Sequence, residues 1–229
     1  MHFEILPDAD MTARRAAAVV AEEARKAVLA RGRFVFAVSG GTTPWQMLRH
    51  LSTEDIPWSS VYIAQVDERA APDGHADRNL THLRESLLAP IPPEQILAMP
   101  VTDPDLATGA TRYLHTLEAI AGSPPVLDLV HLGLGPDGHT ASLVPNAPVL
   151  DVADRDVAVT GEYQGRRRMT LTYPALDRAR LVLWLVTGAG KADMLVRLRA
   201  ADSSIPAGRV RQEHAMVLAD RDAGSKLGK

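Results

Sequence analysis

The sequence predicts an α/β protein, a three-layer α/β/α sandwich built on a mainly parallel, Rossmann-like sheet. Two observations carry this. Strand-like runs alternate with helix-like segments along nearly all 229 residues. Several of those runs, Leu181-Val182-Leu183-Trp184-Leu185-Val186 above all, are apolar at every position, which suits strands covered on both faces. No repeat, low-complexity block or linker divides the chain, so residues 1–229 are expected to form one domain.

The elements follow in order. Asp10 to Arg31 reads as an amphipathic helix with Asp10 or Thr12 as its cap and Gly32 as its stop. No element is assigned ahead of it. Arg33 to Val38 is a short apolar run, read as a buried strand, and a helix from about Pro44 to Leu51 follows. Val61 to Val66 is the next strand, and Asp77 to Leu88 the next helix. Ala89 to Pro100 contains four prolines and reads as a surface connection with room for one short strand. Asp105 to Ala121 is a helix and Val126 to Leu132 a strand. Asp156 to Thr160 and Arg168 to Thr172 are strands, Pro174 to Ala179 a short helix, and Arg180 to Val186 a strong buried strand. A helix from Lys191 to about Ala200 and a strand from His214 to Ala219 complete the series, with Gly224 to Lys229 as a frayed tail.

In such sheets ligands bind beyond the carboxyl ends of the strands. Four loops of unusual composition fall there. Ser39-Gly40-Gly41-Thr42-Thr43-Pro44 joins a strand to a helix. Free N–H groups and the dipole at a helix start suit a phosphate, and three hydroxyls add donors; an ordinary turn with Pro44 in the first helical turn explains it equally well. It has the spacing of neither a Walker loop nor a dinucleotide fingerprint. Asp67-Glu68-Arg69 sets three charges directly after a strand. This is either a salt-bridged strand end or, through Arg69, a clamp for a carboxylate, phosphate or oxyanion.

The third loop, Gly133-Leu134-Gly135-Pro136-Asp137-Gly138-His139-Thr140-Ala141-Ser142, holds three glycines, a carboxylate, an imidazole and two hydroxyls in ten residues. An Asp two residues from a His supplies a base and a group to orient it. Of eight histidines only His139 sits in such a setting; His131, inside a strand, reads as a packed or hydrogen-bonded core residue. In the fourth loop, Thr187-Gly188-Ala189-Gly190-Lys191, a cation precedes a helix start. The dipole disfavours it there unless an anion lies between them; the alternative is a solvated lysine. The basic side chains comprise 21 Arg and four Lys (26, 191, 226 and 229), so position 191 is an exception to the chain's preference. In Arg166-Arg167-Arg168, two side chains are expected in solvent and one, Arg168, inward.

Bulk properties narrow the function classes. Hydrophobic residues make up 46% and charged residues 23%, as in ordinary globular proteins. A net charge of -3 gives no electrostatic case for nucleic acid or an anionic membrane. The absence of cysteine removes disulfides, thiolate nucleophiles and Cys-ligated metals, and fits a reducing compartment. No run approaches the roughly 20 apolar residues of a membrane span. Met1-His2-Phe3-Glu4-Ile5 has neither a basic leader nor an apolar core segment, so a cytoplasmic location is expected. No histidine or carboxylate near His139 shows metal-ligand spacing.

Taken together, the loops resemble the 6-phosphogluconolactonase family from about residue 10 to 220. The matching pieces are Ser39 to Pro44, Asp67-Glu68-Arg69 with Asn79, Leu132 to Leu143, Arg168-Met169-Thr170, Gly190-Lys191-Ala192 and Ile205-Pro206-Ala207. The resemblance implies hydrolysis of 6-phospho-D-glucono-1,5-lactone to 6-phospho-D-gluconate in the oxidative pentose phosphate pathway, without metal or organic cofactor. It implies catalytic places for His139, Asp137, Arg69 and Asp67, and phosphate contacts from Ser39, Gly40, Gly41, Thr42, Thr43, Arg168 and Lys191. The expected partner is a small phosphosugar lactone, on a monomer or weak homodimer. In the helix after the Gly-Gly turn the only candidates for a further cation are Arg49 and His50. The related glucosamine-6-phosphate deaminases carry a catalytic glutamate seven residues after the loop Asp. Here that position is Val144, which cannot move protons.

Overall fold

The computed structural model describes residues 1–228; Lys229 of the expected frayed tail lies outside the described residues. The elements are β1 (His2–Leu6), α1 (Ala9–Arg31), β2 (Phe34–Val38), α2 (Thr42–Leu51), β3 (Val61–Gln65), β4 (Asp67–Arg69), α3 (Asn79–Ser86), β5 (Ile96–Leu97), α4 (Leu106–Ala121), β6 (Leu129–Leu132), β7 (Val157–Val159), β8 (Arg168–Leu171), α5 (Tyr173–Asp177), β9 (Val182–Val186), α6 (Ala192–Arg199) and β10 (Ala215–Asp220). A seven-stranded sheet runs β1-β10-β9-β6-β2-β3-β5 with every neighbouring pair parallel.

The two-residue period of the strands sorts their side chains into two cores. Phe34, Phe36 and Val38 of β2 pack with the alanine-rich face of α1 and with Met47, Leu48 and Leu83 of α2 and α3. Val35 and Ala37, pointing the other way, join Tyr113 and Leu117 of α4 and Leu195 and Leu198 of α6. This is the expected three-layer arrangement. Gly32, with φ 74°, ends α1 where the sequence places its stop. Its start is capped two residues before Asp10, by Asp8, whose carboxylate accepts from Met11 N at 2.8 Å.

Three features depart from the sequence reading. β1 is an edge strand ahead of the first helix, paired in register with β10. The charged triplet Asp67-Glu68-Arg69 is itself a strand, antiparallel to β8, in a second sheet of order β4-β8-β7. The expected frayed tail is shorter: Ala223, just ahead of it, opens a 3-10 turn that takes in Gly224 to Lys226.

β2 leads on to β3 on one side, whereas β6 falls on β2's other side. The chain therefore reverses its direction of growth between β2 and β6. Loops leaving those two carboxyl ends splay apart there and open a crevice.

Candidate active site

The crevice is a cleft of about 400 Å³. Its walls include Ser39 to Pro44, Asp67, Arg69, Asn79, Gly135, His139, Arg168, Thr187 and Lys191, so all four loops singled out in the sequence converge on it.

The first wall is the turn after β2. Ser39 Oγ donates to the His131 carbonyl oxygen at 3.1 Å, and Ser39 N donates to His131 Nδ1 at 3.3 Å. His131 is fully buried in β6, and burial alone lowers its pKa to about 3. It is a neutral fastener between two strand ends, as a core histidine. α2 then starts with Gly41 as an N-cap that offers no side chain, and no acidic residue in the first turn. The N–H groups at this helix start and its positive dipole end are therefore open to an anion. Gly40 is required by a close approach: a Cβ there would overlap the side-chain amide of Asn79.

Asn79 belongs to a buried polar network built on β4. Its Nδ2 donates to the Asp67 carbonyl at 2.9 Å, and its Oδ1 accepts from Arg69 Nη1 at 2.9 Å. Arg69 Nη1 also reaches the Asp77 carbonyl at 3.0 Å, so the guanidinium is held from behind where it lines the cleft. Glu68, fully buried between them, accepts from Arg69 N and Asn79 N (both 2.8 Å), from Leu80 N and Gln65 Nε2 (both 2.9 Å), and pairs with Arg78 Nε at 3.0 Å. It thereby neutralises the start of α3 and fixes both Arg69 and Asn79. Asp67 is buried as well. Its Oδ2 accepts from Ser142 Oγ at 2.6 Å, and burial pushes its carboxyl above the ordinary range despite that bond and the nearby Arg69 and Arg168 charges.

Opposite stands the loop after β6. His139 Nδ1 lies 2.5 Å from Asp137 Oδ1, which also accepts from His139 N at 3.1 Å. Burial raises the Asp137 carboxyl, but these two bonds outweigh it and leave its pKa below the usual value. A carboxylate on Nδ1 holds the proton there and leaves Nε2 as the acceptor. Both side chains fold over Gly135, where a Cβ would strike the His139 ring. Asp137 does not itself line the cleft; it supports His139 from behind.

Cations complete the site. β4 and β8 place Arg69 directly across from Arg168. Arg168 is 4% exposed, with an unpartnered Nε. Burial lowers its pKa, with Asp67 pulling the other way. Its neighbours divide as expected in part: Arg167 is exposed, whereas Arg166 pairs with Asp77 at 3.0 Å. Lys191, at the end of the turn before α6, lines the cleft; burial holds its ammonium below the usual pKa against the opposing charge of Asp137. Thr43 and Thr187 hydroxyls meet at 2.7 Å and tie the first loop to the fourth. Neither candidate for a further cation reaches the cleft: Arg49 is exposed, and His50 Nε2 pairs with Asp10 at 3.0 Å.

One cleft thus gathers His139, backed by Asp137, with the cations of Arg69, Arg168 and Lys191. The family model described as glucosamine-6-phosphate isomerases/6-phosphogluconolactonase matches residues 7–219. The chain belongs to this family. It is 39% identical to the 6-phosphogluconolactonase of Mycobacterium tuberculosis, across 98% of both chains. It is 33% identical to that of a Nostoc species, over 98% of this chain and 97% of the relative. The 6-phosphogluconolactonase structure from Trypanosoma cruzi superposes with a TM-score of 0.89 at 23% identity, covering 100% of this chain and 97% of its own, and so shares the fold.

Within this family member, the sequence reading found the walls of the cleft but not what holds them. Glu68 has no role in the sequence reading beside Asp67 and Arg69, yet its carboxylate is buried against four hydrogen-bond donors and the Arg78 guanidinium. Tyr163 and Gln164, which touch Arg168 at 4.9 Å (Cζ to ring centroid) and 3.1 Å, were unassigned. The available signal was a Gln-Gly turn with an aromatic residue just ahead of the arginine cluster. Val144, where the resemblance implies that a deaminase would carry a glutamate, is a buried apolar side chain. No described helix is long and apolar enough to cross a membrane. Among the described residues, no three His, Asp or Glu side chains are grouped to hold a metal ion.

Proposed function

We propose that the chain hydrolyses 6-phospho-D-glucono-1,5-lactone to 6-phospho-D-gluconate, with the whole chain as one lactonase domain. The observation that carries this reading is His139, backed by Asp137 at 2.5 Å and set in one cleft with Arg69, Arg168 and Lys191. The full-length similarity to named 6-phosphogluconolactonases supports the substrate.

The substrate's phosphate sits on the uncapped start of α2, on the turn Ser39-Gly40-Gly41-Thr42-Thr43, with Arg168 and Lys191 as counter-charges. Holding that remote dianion positions the lactone ring over His139. His139 Nε2 accepts a proton as water attacks C1, and Asp137 steadies the resulting imidazolium. Arg69, fixed by Asn79, stabilises the oxyanion. His139 then returns the proton to the ring oxygen as the C1–O bond breaks, giving the hydroxyl and the free carboxylic acid, which loses its proton to solvent. Asp67 holds Ser142 and Asn79 and so keeps the two sides of the site in register.

The test is hydrolysis of freshly prepared 6-phosphogluconolactone, followed by a coupled assay and corrected for spontaneous opening. The wild-type chain accelerates it, and H139A loses about 10²–10⁴-fold in kcat. A wild-type rate equal to the blank would end the proposal; an unchanged kcat in H139A would remove His139 from the mechanism. Release of ammonia from glucosamine 6-phosphate, the alternative chemistry in this family, is not expected with Val144 in place of a proton-transferring side chain.

A further inference from the structure

The hairpin joining β7 to β8 closes with a two-residue turn. Tyr163 N donates to Arg166 O at 2.9 Å and Arg166 N to Tyr163 O at 3.3 Å, with Gln164 (φ 52°) and Gly165 (φ 75°) both left-handed. Such a turn matches the twist of a hairpin but usually takes Asn or Gly first, because a longer side chain is strained there. The glutamine has a use: its Oε1 accepts from Arg168 Nη2 at 3.1 Å.

The Tyr163 side chain, beside it, contacts three groups of the proposed machinery. Its ring lies against the Arg168 guanidinium, with Cζ 4.9 Å from the centroid. The same ring meets the His139 imidazole at a 66° tilt, with centroids 6.0 Å apart. Its hydroxyl stands 3.5 Å from Asp137 Oδ2. The negative face of an aromatic ring attracts a cation, and tilted ring pairs are favourable, so one side chain holds both groups without using their reactive atoms. The hairpin tip is itself anchored: Arg166 pairs with Asp77, and Ala70 N donates to Arg167 O at 2.9 Å.

We propose that Tyr163 and Gln164 are positioning residues that couple Arg168 to the His139–Asp137 pair, so that phosphate and carbonyl are presented to the two groups at once. The inference rests on the lactonase reading, in which Arg168 faces the phosphate. Tyr163 sets the spacing between cation and base, and Gln164 sets the rotation of the guanidinium fork.

Steady-state kinetics on 6-phosphogluconolactone test this with the full chain. Y163A is expected to raise KM and lower kcat together, for a combined loss in kcat/KM of about tenfold, while Y163F, which keeps the ring, stays within about threefold. Q164G relieves the left-handed strain and removes the contact; it is expected to raise KM about threefold with kcat unchanged. Y163A within twofold of wild type, a change confined to kcat or KM alone, or Y163F as impaired as Y163A would each overturn the proposal. If the wild-type chain leaves the lactone untouched, the lactonase reading fails separately. The coupling is then read from inorganic phosphate, whose thermal stabilisation of the protein should persist in Y163F and shrink in Y163A; equal stabilisation of the two would overturn it.

Discussion

His131 offers a measurement in which the size of the effect follows from where the ring is placed. It is fully buried, its Nδ1 accepts from Ser39 N, and its Nε2 has no partner. Burial lowers its pKa to about 3, against 6.5 for the unperturbed side chain. The folded ring therefore stays neutral while the unfolded ring takes up a proton below 6.5, so stability falls as pH drops from 6.5 toward 3. At pH 5 the offset is 1.5 units; at about 1.36 kcal/mol per unit this residue alone removes about 2 kcal/mol relative to pH 7.5. For a chain of this length that corresponds to about 4–8 °C in Tm. H131N keeps an oxygen acceptor for Ser39 N but cannot titrate. Urea unfolding of both proteins at pH 7.5 and pH 5.0 gives the double difference, in which every other histidine cancels. The wild type should lose about 2 kcal/mol more than H131N on acidification. A double difference below about 0.5 kcal/mol would show that the buried ring is protonated in the folded protein, and would refute the assignment of His131 as a neutral fastener.

Other perturbations probe different parts of the site. E68Q places an amide against backbone and side-chain donors and leaves the Arg78 guanidinium, whose side chain is only 3% exposed, without its buried counter-charge. The expected loss is about 3–5 kcal/mol by urea unfolding, and less than 1 kcal/mol would mean the network relaxes freely. Asp67 has a folded pKa raised above 3.8, so its contribution to stability is lost as pH rises from 3.8 through that higher value. D67N should therefore gain on wild type in unfolding midpoint between pH 4 and pH 8; parallel pH curves would contradict this. K191A should raise KM for the phosphorylated lactone by about tenfold or more with a smaller effect on kcat, and an unmoved KM would take the lysine out of the phosphate subsite.

The sequence makes legible those elements whose own residues determine their structure. β2 and β9 are apolar on every residue because the sheet is covered on both faces, and their period and composition announce it. β1 escaped because an edge strand is covered less completely: none of His2 to Leu6 is fully buried, and the segment reads as a terminal tail. β4 escaped for a stronger reason. Asp67-Glu68-Arg69 has poor intrinsic strand preference, and it is extended only because β8 pairs with it across about a hundred residues of chain. The cleft followed the same division. Glycine-bearing loops at carboxyl ends of strands are local signals and were found together. Glu68 acts only once the start of α3 has folded back onto β4, and Tyr163 only once the β7–β8 hairpin meets the His139 loop, whereas Gln164 reaches Arg168 within that hairpin.

The pairing of Arg69 with Arg168 has a consequence for thermal stability. Two like charges on facing residues of neighbouring strands repel, and burial of one of them adds to the cost. The two arginines thus hold a built-in tension in the proposed phosphate site, which an anion between them would convert to attraction. Its endurance to heat becomes a gauge of occupancy: any phosphorylated compound that settles between the arginines raises the melting temperature in proportion to the logarithm of its concentration over its Kd. A panel of sugar phosphates and their uncharged counterparts, ranked by melting shift alone, would report the cleft's preferences before any turnover is measured.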